Sequence, residues 1–525
     1  MLAIVHSYAL VGIQAVPVRV EVDVARGGLP ALVLVGLPDA AVRESRERIV
    51  SALRNQGLQF PARKITVNLA PAGLRKAGGG FDLPIAIGIL VSSGQAPPEH
   101  LSRCVWAGEL SLEGCVRPVR GSLSMSIAEG YRGKPRTLVL PVENRAEALS
   151  AEKARVRAVG TLRECVQVLF AGPAGEALLA GSDLPAAAEA VASPPADLPA
   201  ESELDAPDLF DVRGQTAARR ALEVAAAGGH NLLMIGSPGT GKSMLAERMP
   251  PLLPPLAPAE RIEATMVHSA AGLLAPGAGL IRHRPFRAPH HSISLVGLIG
   301  GGRPPQPGEV SLAHRGVLFL DELPEFRRSV LESLRQPLER GEVAIVRSGY
   351  TVRFPSRVQL VTAMNPCPCG RRLDPRGGCR CSEFQTRRYM SRVSGPLLDR
   401  IDIQIEMATV SYRDLTLLRP VEETGAVRVR VGQAWERQRE RYREHPRVLC
   451  NAQMDLSLLR EHCRLGRTSQ GLLRMAMERL RLSPRAYHRI LRLARTIADL
   501  GGAREIGEEH VAEAVAYRVL DRGVG

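Results

Sequence analysis

The hydrophobic positions along this 525-residue chain change their spacing several times, and each change predicts a different element. At residues 18–24, valine alternates with charged residues, which predicts a half-buried strand. At residues 39–57, apolar residues recur at helical spacing between Asp39, placed as a cap, and Gly57, placed as a stop. Short strands and helices of this kind continue, and we expect a first domain at residues 1–170.

The pattern breaks at residues 180–208, which are rich in alanine, proline, serine and acidic residues and show no apolar period. This composition is typical of a linker, which we place at residues 171–207. Residues 208–408 then alternate strand and helix, as an α/β domain does. Residues 409–525 are helical and rich in arginine. The predicted fold class is therefore α/β, with a helical domain after the α/β core.

Candidate chemistry appears where the strand predicted at residues 231–235 leads into GSPGTGKS, after which a helix follows. In this strand–loop–helix context the pattern is a P-loop, whose glycines let backbone N–H groups close around phosphates. Lys242 would reach the β- and γ-phosphates of ATP, and Ser243 would bind Mg²⁺. The predicted nucleotide-binding residues are Gly236, Ser237, Pro238, Gly239, Thr240, Gly241, Lys242, Ser243 and Met244.

Two further strands end in polar residues that would complete an ATPase site. The strand at residues 317–320 ends in Asp321 and Glu322, which suit Mg²⁺ coordination and polarisation of the attacking water. A later strand ends at Asn365, whose amide would sense the γ-phosphate or position that water. Three strands that end in a P-loop, an acidic pair and an asparagine, in this order, predict ATP binding and hydrolysis.

The net charge of the chain is +15, from 69 lysine and arginine residues against 54 aspartate and glutamate residues. This balance favours polyanionic partners such as nucleic acid, and solvated basic faces on an arginine-rich protein explain it equally well. The amino terminus lacks a basic signal region and runs directly into a strand, and no uncharged apolar run is long enough to span a membrane. We expect a cytoplasmic protein with no membrane partner.

Four of the nine cysteines lie at residues 367–381 in two Cys-x-Cys pairs. Four thiolates on one turn-rich loop suit tetrahedral Zn²⁺, in a structural rather than a catalytic site. Free thiols and a redox disulfide are the alternatives, and a reducing cytosol disfavours the disulfide. Zinc would order the loop beyond Asn365 and present Arg371, Arg372 and Arg380 to DNA. The predicted zinc ligands are Cys367, Cys369, Cys379 and Cys381.

Longer motifs carry a family resemblance. The sequence FRAPHHSISLVGLIGGGRPPQPGEVSLAHRGVLFLDELPEF, with MNPCPCG and SGPLLDRIDI, is similar to the magnesium-chelatase-like AAA+ family and, within it, to the ComM/YifB group. The resemblance covers nearly the whole chain and implies a P-loop AAA+ core at residues 208–408 with a helical lid at residues 409–525. It also implies a hexameric ring. Members associated with natural transformation are DNA helicases that promote branch migration, with recombination proteins as partners.

The AAA+ resemblance implies a catalytic place for two arginines. Arg400 follows a short turn, where an AAA+ ATPase holds the arginine finger that completes a neighbour's site. Arg485, in the helical region, lies at the sensor-2 position. From spacing alone, both are equally well explained as surface arginines. A finger that acts on a neighbour requires a closed ring, and whether Arg485 acts within its own subunit stays open.

The N-terminal domain carries a second resemblance. The sequence NLAPAGLRKAGGGFDLPIAIGIL resembles the Lon-protease segment with the nucleophilic serine, which implies an α+β, Lon-protease-like (S5 domain 2-like) fold. The matching stretch at residues 79–82 has no serine, and GELSLEGCVRPVRGSLSMSIAE lacks the lysine base. A Ser–Lys mechanism needs both groups within hydrogen-bond reach. We therefore expect a structural or DNA-contacting domain rather than a protease.

Two insertions are candidates for gripping DNA in the pore of a ring, as the family resemblance suggests. The first, residues 285–303, combines apolar residues with a glycine hinge and two adjacent histidines, for which a packed or capping pair is the alternative. The second, residues 343–354, alternates around Ser348-Gly349 as a β-hairpin does. The basic residues concerned are Arg287, His290, His291, Arg303, Arg347 and Arg353.

The sequence therefore predicts a DNA motor that threads single-stranded or branched DNA in a largely sequence-independent manner. One alternative is a chelatase-type AAA+ motor that remodels a protein partner, although the Lon-like N-terminal domain and the basic charge fit it less well. An ATP-dependent protease is a third class, which the missing serine and lysine disfavour. ATPase activity that responds to DNA separates the first class from both others.

Overall fold

The computed structural model of this chain describes residues 2–27, 29–172, 207–347, 350–375, 377–409, 422–518 and 520. The predicted linker at residues 171–207 lies outside these ranges except at its two ends. Within the described ranges, no helix combines the length and apolar character needed to cross a membrane.

The N-terminal region alternates strands and helices. Its elements are β1 (Leu2–Val11), β2 (Gln14–Val24), β3 (Ala31–Val35), α1 (Ala40–Asn55), β4 (Lys64–Ala70), α2 (Asp82–Ser92), β5 (Cys104–Trp106), β6 (Glu109–Leu110), β7 (Val116–Arg117), α3 (Ser122–Gly130), β8 (Thr137–Pro141), α4 (Arg145–Leu149), β9 (Arg155–Val159) and α5 (Leu162–Ala171). Val18, Val20, Val22 and Val24 of β2 are buried, as the alternation predicts, and Asp39 caps α1 by accepting from the backbone N–H of Val42.

Seven of these strands form one mixed sheet in the order β3-β4-β2-β1-β5-β8-β9. The pairs β1–β2 and β2–β4 are antiparallel, and the other pairs are parallel. Helices α1, α2 and α5 bury their apolar residues against one face of this sheet. On the other face, α3 and α4 cover β1, β5 and β8 around Tyr8, Met125 and Leu138.

The α/β region begins after the predicted linker. Its elements are α6 (Thr216–Gly228), β10 (Leu232–Gly236), α7 (Lys242–Glu247), α8 (Met249–Leu252), α9 (Pro258–Ala271), β11 (Phe286–Arg287), α10 (Leu295–Ile299), β12 (Gly300–Gly301), β13 (Gln306–Pro307), α11 (Glu309–Leu312), β14 (Val317–Leu320), α12 (Arg328–Ser333), α13 (Arg335–Arg340), β15 (Glu342–Arg347), β16 (Tyr350–Pro355), β17 (Gln359–Met364), α14 (Glu383–Met390), α15 (Gly395–Leu398) and β18 (Ile403–Met407). Strands β15 and β16 pair as the predicted antiparallel hairpin.

The five strands β11-β14-β17-β10-β18 form a parallel sheet, in that order. Strands β10, β14 and β17 are completely buried, which explains their near-continuous apolar sequences. Because the strands are parallel, their carboxyl ends share one edge of the sheet, where the P-loop, the acidic pair and Asn365 follow.

Helices occupy the C-terminal region at Thr424–Arg441, Leu456–His462, Arg467–Arg479, Pro484–Leu500 and Glu508–Ala516. The helix Pro484–Leu500 buries Ile490, Ala494 and Ile497 in the same apolar core as α6 and one face of the parallel sheet. These helices are thereby fixed to the α/β region by a continuous hydrophobic contact.

The N-terminal region also packs on the α/β region, through α9 and the hairpin. The Ser269 hydroxyl on α9 donates to Glu147 Oε1 at 2.5 Å and accepts from the Gly121 backbone N–H at 2.8 Å. All of these groups are buried. The apolar face of the hairpin packs against Val11 and Ile13, at the turn between β1 and β2. The two regions therefore share buried polar and apolar contacts.

Candidate active site

The P-loop connects β10 to α7 at the carboxyl edge of the parallel sheet. Gly239 and Gly241 adopt the left-handed conformation, with φ of +78° and +86°, and a side chain at either position would meet open space. Backbone of this kind favours glycine and forms concave nests of N–H groups that bind anions. The loop therefore has the backbone shape that a polyphosphate site requires.

Lys242 lies inside this loop. Its Nζ atom donates to the carbonyl oxygens of Gly236 at 2.7 Å and Ser237 at 3.0 Å, and to Asn365 Oδ1 at 3.3 Å. Burial lowers the pKa of the ammonium group, and the nearby acidic pair acts in the opposite direction. The Ser237 hydroxyl is buried and has no hydrogen-bond partner among the described residues. A buried cation and an unpaired donor fit a site for phosphate oxygens.

The predicted Mg²⁺ ligands meet at the same edge. The Ser243 hydroxyl donates to Asp321 Oδ2 at 2.7 Å, although the two residues belong to different β–α connections. The second oxygen, Asp321 Oδ1, accepts from the backbone N–H of Glu322 at 2.8 Å. A hydroxyl beside a carboxylate supplies the hard oxygen ligands that Mg²⁺ prefers. These residues therefore fit the ion that accompanies a bound nucleotide.

Glu322 adopts an unusual backbone conformation, with φ of +51° in the left-handed region. Non-glycine residues in this region are strained and cluster at functional sites. Its Oε2 atom lies 3.2 Å from Nδ1 of His291, which comes from the insertion between α9 and α11. The sequence predicts a DNA-contacting or packed His291, and it does not predict this contact with the acidic pair.

Arg400 and Arg485 lie together at a cavity of about 600 Å³. Arg400 donates to Glu339 Oε2 at 2.7 Å, and Arg485 donates to Asp399 Oδ2 at 3.4 Å. Nine arginines and four acidic residues line this cavity, so it is strongly basic.

The cavity lies at the amino edge of the parallel sheet, opposite the P-loop. Its lining includes Asn231, Gln359 and Asp402, which lie at the starts of β10, β17 and β18. A five-residue strand spans about 16 Å, which exceeds the reach of an arginine side chain. Arg400 and Arg485 therefore lie on the opposite edge from the P-loop of their own chain.

The other basic residues that the sequence pointed to have local partners. Arg287 forms a bidentate ion pair with Glu309, at 2.6 and 2.8 Å. His290 pairs through Nδ1 with the Ser292 hydroxyl at 2.8 Å, which is the local capping alternative. Arg303 is exposed, and the side chain of Arg347 lies outside the described residues. Arg353 is exposed and donates to Glu342 on the facing strand at 2.6 Å.

The two Cys-x-Cys pairs converge after β17. Their four Sγ atoms all lie within 4.8 Å of one another, and the closest pairs are separated by 3.4, 3.7 and 3.8 Å. A tetrahedral zinc site with Zn–S distances of about 2.3 Å has sulfur–sulfur edges of about 3.8 Å. Backbone N–H donation from Arg371, with the neighbouring thiol of Cys367, lowers the pKa of Cys369 to about 6. The thiols form no disulfide and fit Zn²⁺.

The cysteine loop also touches the P-loop. Gly370 adopts φ of +75°, and a Cβ atom at this position would lie 2.6 Å from Cδ of Pro238 and 3.8 Å from Cγ of Asn365. Glycine suits this position, because its φ is positive and a side chain would overlap the Pro238 ring. The cysteine loop therefore packs directly on the P-loop.

Three family models match the chain in sequence order. "Subunit ChlI of Mg-chelatase" matches residues 20–144, and "Magnesium chelatase, subunit ChlI" matches residues 208–415. "Magnesium chelatase, subunit ChlI C-terminal" matches residues 421–518.

Full-length relatives are similar over almost the whole chain. The chain is 44% identical to the competence protein ComM of Haemophilus influenzae over 522 residues, which cover 99% of this chain and 98% of that protein. It is 42% identical to the protein YifB of Salmonella typhimurium over 526 residues, with coverages of 99% and 98%. A shorter match, 28% identical over 177 residues, relates 29% of the chain to 51% of the magnesium-chelatase 38 kDa subunit of Acidiphilium rubrum.

Proposed function

This chain belongs to the ComM/YifB group of magnesium-chelatase-like AAA+ ATPases, and on that basis we propose that it is a ring-forming DNA motor that promotes branch migration. As an AAA+ ATPase of this family it uses ATP and Mg²⁺. Its similarity to a protein named for competence supports a role in natural transformation or homologous recombination. We place this activity in the cytoplasm, on single-stranded or branched DNA.

The observation that supports a ring is that Arg400 and Arg485 lie at the amino edge of the parallel sheet, whereas the P-loop of the same chain lies at its carboxyl edge. In a closed ring, the amino edge of one subunit faces the carboxyl edge of the next, so the two arginines complete the neighbour's ATPase site. Arg400 acts as the finger, and Arg485, in the helical lid, acts as sensor 2 across the same interface. A hexamer is the ring size that the family resemblance implies.

The residues of the carboxyl edge divide the chemistry among them. Lys242 and the P-loop backbone bind the phosphates, and Ser243 with Asp321 holds Mg²⁺, which neutralises developing phosphate charge when bound. Glu322 polarises the attacking water. Asn365 positions that water or contacts the γ-phosphate, because its amide lies beside Lys242 in the cradle.

The charge and the insertions support DNA as the substrate. The chain carries a net charge of +15, which favours binding to phosphates through counterion release. The exposed Arg353 and Val346 of the hairpin, together with Arg303, are the side chains we propose to grip DNA in the pore. Such contacts are made with the DNA backbone and therefore show little preference for base sequence.

We propose that the N-terminal domain has a Lon-like fold without protease activity. No serine donates to a lysine among its described residues, and a Cβ at Gly79 would lie 2.3 Å from Oε2 of Glu109. Lys76 is buried and donates to the carbonyl oxygens of Gly36 and Pro71, which leaves it unavailable as a base. The domain instead supplies an assembly surface and contacts with DNA.

The test is ATP-dependent branch migration on synthetic three- and four-strand junctions. The wild-type protein should move the junction, and Lys242→Ala should abolish both this activity and ATP hydrolysis. An Arg387→Ala variant, which changes an exposed arginine on α14, serves as the matched control. ATPase rates that no DNA alters, with no junction movement, would support a chelatase-type motor that remodels a protein partner.

A further inference from the structure

A second basic cavity, of about 290 Å³, lies in the N-terminal region, and no P-loop residue lines it. His6 on β1 and Arg19 on β2 lie opposite each other in the antiparallel register. Arg132 and Arg136 enter the cavity from the segment that follows α3, and Glu129 lies at the end of that helix. The cavity therefore joins the sheet to the end of α3.

The positive charge of this cavity exceeds its negative charge. Glu129 is the acidic residue in the lining. Its oxygens accept from the Tyr8 hydroxyl at 2.7 Å and from the Arg136 backbone N–H at 3.2 Å, and its Oε1 forms an ion pair with Arg132 Nε at 3.2 Å. Among the described residues, no carboxylate pairs with the guanidinium groups of Arg19 or Arg136. Two cations in a concave site thus lack a protein counterion.

The state of His6 is consistent with this excess charge. Burial, followed by the charges of Arg136 and Arg132, lowers the pKa of the imidazole to about 4, with Glu129 acting in the opposite direction and Arg19 contributing least. At neutral pH the ring is uncharged and offers one N–H donor beside the guanidinium groups. The cavity presents donors and a positive potential to any ligand that enters it.

We propose that this cavity binds a phosphate group through Arg19 and Arg136, with Arg132 at its rim. Planar guanidinium groups match the geometry of phosphate oxygens and remain charged at every physiological pH. A volume of about 290 Å³ accommodates one phosphate with part of an attached sugar. The phosphate belongs to a DNA backbone or to a free phosphate ester. Binding of a DNA phosphate here depends on the proposed motor function, whereas binding of a free phosphate ester does not depend on it.

The experiment compares two pairs of substitutions in the full-length chain. R19Q/R136Q removes the two unpaired cations, and R46Q/R103Q removes two exposed arginines elsewhere in the same domain. A third variant, R19K/R136K, keeps the positive charge and removes the bidentate geometry. Because it preserves the charge of the site, it separates a loss of binding from a loss of folding. All three are made in the Lys242→Ala background so that the P-loop contributes no phosphate binding, and thermal unfolding checks that each is folded.

Two ligands separate the sources of phosphate: a labelled oligo(dT), followed by anisotropy across a salt series, and inorganic phosphate, followed by its ³¹P linewidth. With DNA as the source, R19Q/R136Q weakens oligonucleotide binding and lowers the slope of log K against log salt by about one, and R46Q/R103Q does not. With a free ester as the source, R19Q/R136Q loses inorganic phosphate broadening and keeps DNA binding. R19K/R136K falls between wild type and R19Q/R136Q in either case.

Equal affinity of R19Q/R136Q and R46Q/R103Q for both ligands would overturn the site. Phosphate broadening that depends on Arg19 and Arg136, in a protein that does not bind DNA even with Lys242 intact and ATP present, would uphold the site and overturn the DNA motor. The failure of one proposal is therefore distinguishable from the failure of the other.

Discussion

The Nδ1 atom of His291 lies 3.2 Å from Oε2 of Glu322, so the insertion at residues 285–303 touches the acidic pair directly. The imidazole is held in place by the ring of His290, with centroids 4.0 Å apart, and by the edge of Phe326 at 6.4 Å. Farther along the same insertion, Ile299 packs against the apolar core of the hairpin. The insertion therefore connects the hairpin, through Ile299, to Glu322, through His291, so a displaced hairpin would shift the contact with Glu322.

We expect His291→Ala to raise the rate of ATP hydrolysis without DNA and to reduce its stimulation by DNA. The pair holds Glu322 through one polar contact between partly exposed side chains, so release should be worth about a two- to ten-fold change in kcat. The KM for ATP should stay unchanged, because His291 does not contact the P-loop. Steady-state ATPase assays with and without DNA measure both quantities. Leu295→Ala, which changes an exposed side chain on α10 of the same insertion, is the control, and an equal fall of both rates would contradict the prediction.

The positions of Arg400 and Arg485 predict complementation between inactive subunits. Arg400→Ala should lower ATP hydrolysis by about a thousand-fold, as the loss of an arginine finger does. Mixed with Lys242→Ala, it should regain part of the activity, because some interfaces then pair an intact P-loop with an intact arginine. Arg485→Ala should behave in the same way. Mixtures that stay inactive while rings still form would show that the arginines act within their own chain.

The grouping of the P-loop, the acidic pair and Asn365 at the carboxyl edge could be predicted from the sequence because its signals are local. A glycine-rich loop after an apolar strand, and an acidic pair after another, define their own roles wherever the strands lie in a parallel sheet. The contact between His291 and Glu322 could not be predicted, since it depends on how an insertion folds over that edge.

Long-range arrangement also decided which edge the arginines occupy. Spacing left Arg400 and Arg485 either as surface residues or as catalytic ones. The crossover order β11-β14-β17-β10-β18 then places the segments before each strand at the edge opposite the P-loop. The periodicity of a single element does not reveal the order in which the strands pair, so this arrangement could not be predicted. The charge excess around Arg19 and Arg136 could not be predicted either, because the two residues lie far apart in the chain.

The contact between the cysteine loop and the P-loop predicts a large difference between two glycines of one loop. Gly370→Ala would bring a methyl group to 2.6 Å from Pro238, whereas Gly377→Ala adds one in open space at nearly the same φ, +74°. Both substitutions incur about 1 kcal/mol of backbone strain, and overlap adds about 1–3 kcal/mol at Gly370 alone. Nucleotide affinity, measured with a fluorescent ATP analogue, should fall in Gly370→Ala only. Matching affinities in the two variants would show that the approach is unimportant for the cradle.

The cysteine cluster predicts one zinc ion per chain. Purified protein should contain about one equivalent by elemental analysis, and Cys379→Ser with Cys381→Ser should remove it, because two thiolate ligands are lost. The double variant should unfold at a lower temperature and bind nucleotide or DNA more weakly. Cys115→Ser, which changes an exposed isolated cysteine, should keep the metal. Full activity in a metal-free double variant would contradict a structural role for zinc.

The docking of the N-terminal region on the hairpin predicts that Gly12 controls the hairpin. A Cβ atom at Gly12 would lie 2.8 Å from Cγ1 of Val352 and 3.2 Å from the carbonyl oxygen of Arg353, at φ of +64°. Gly57 has a similar φ of +73° and open space around it, so Gly57→Ala shares the backbone strain without the overlap. Gly12→Ala should therefore displace the hairpin, which hydrogen exchange would report as faster exchange in β15 and β16.

Gly12→Ala should also lower DNA-stimulated ATP hydrolysis relative to Gly57→Ala, because the hairpin would no longer contact Ile299 in the insertion that holds Glu322. If exchange in the hairpin is the same in both variants, the N-terminal region does not position the hairpin.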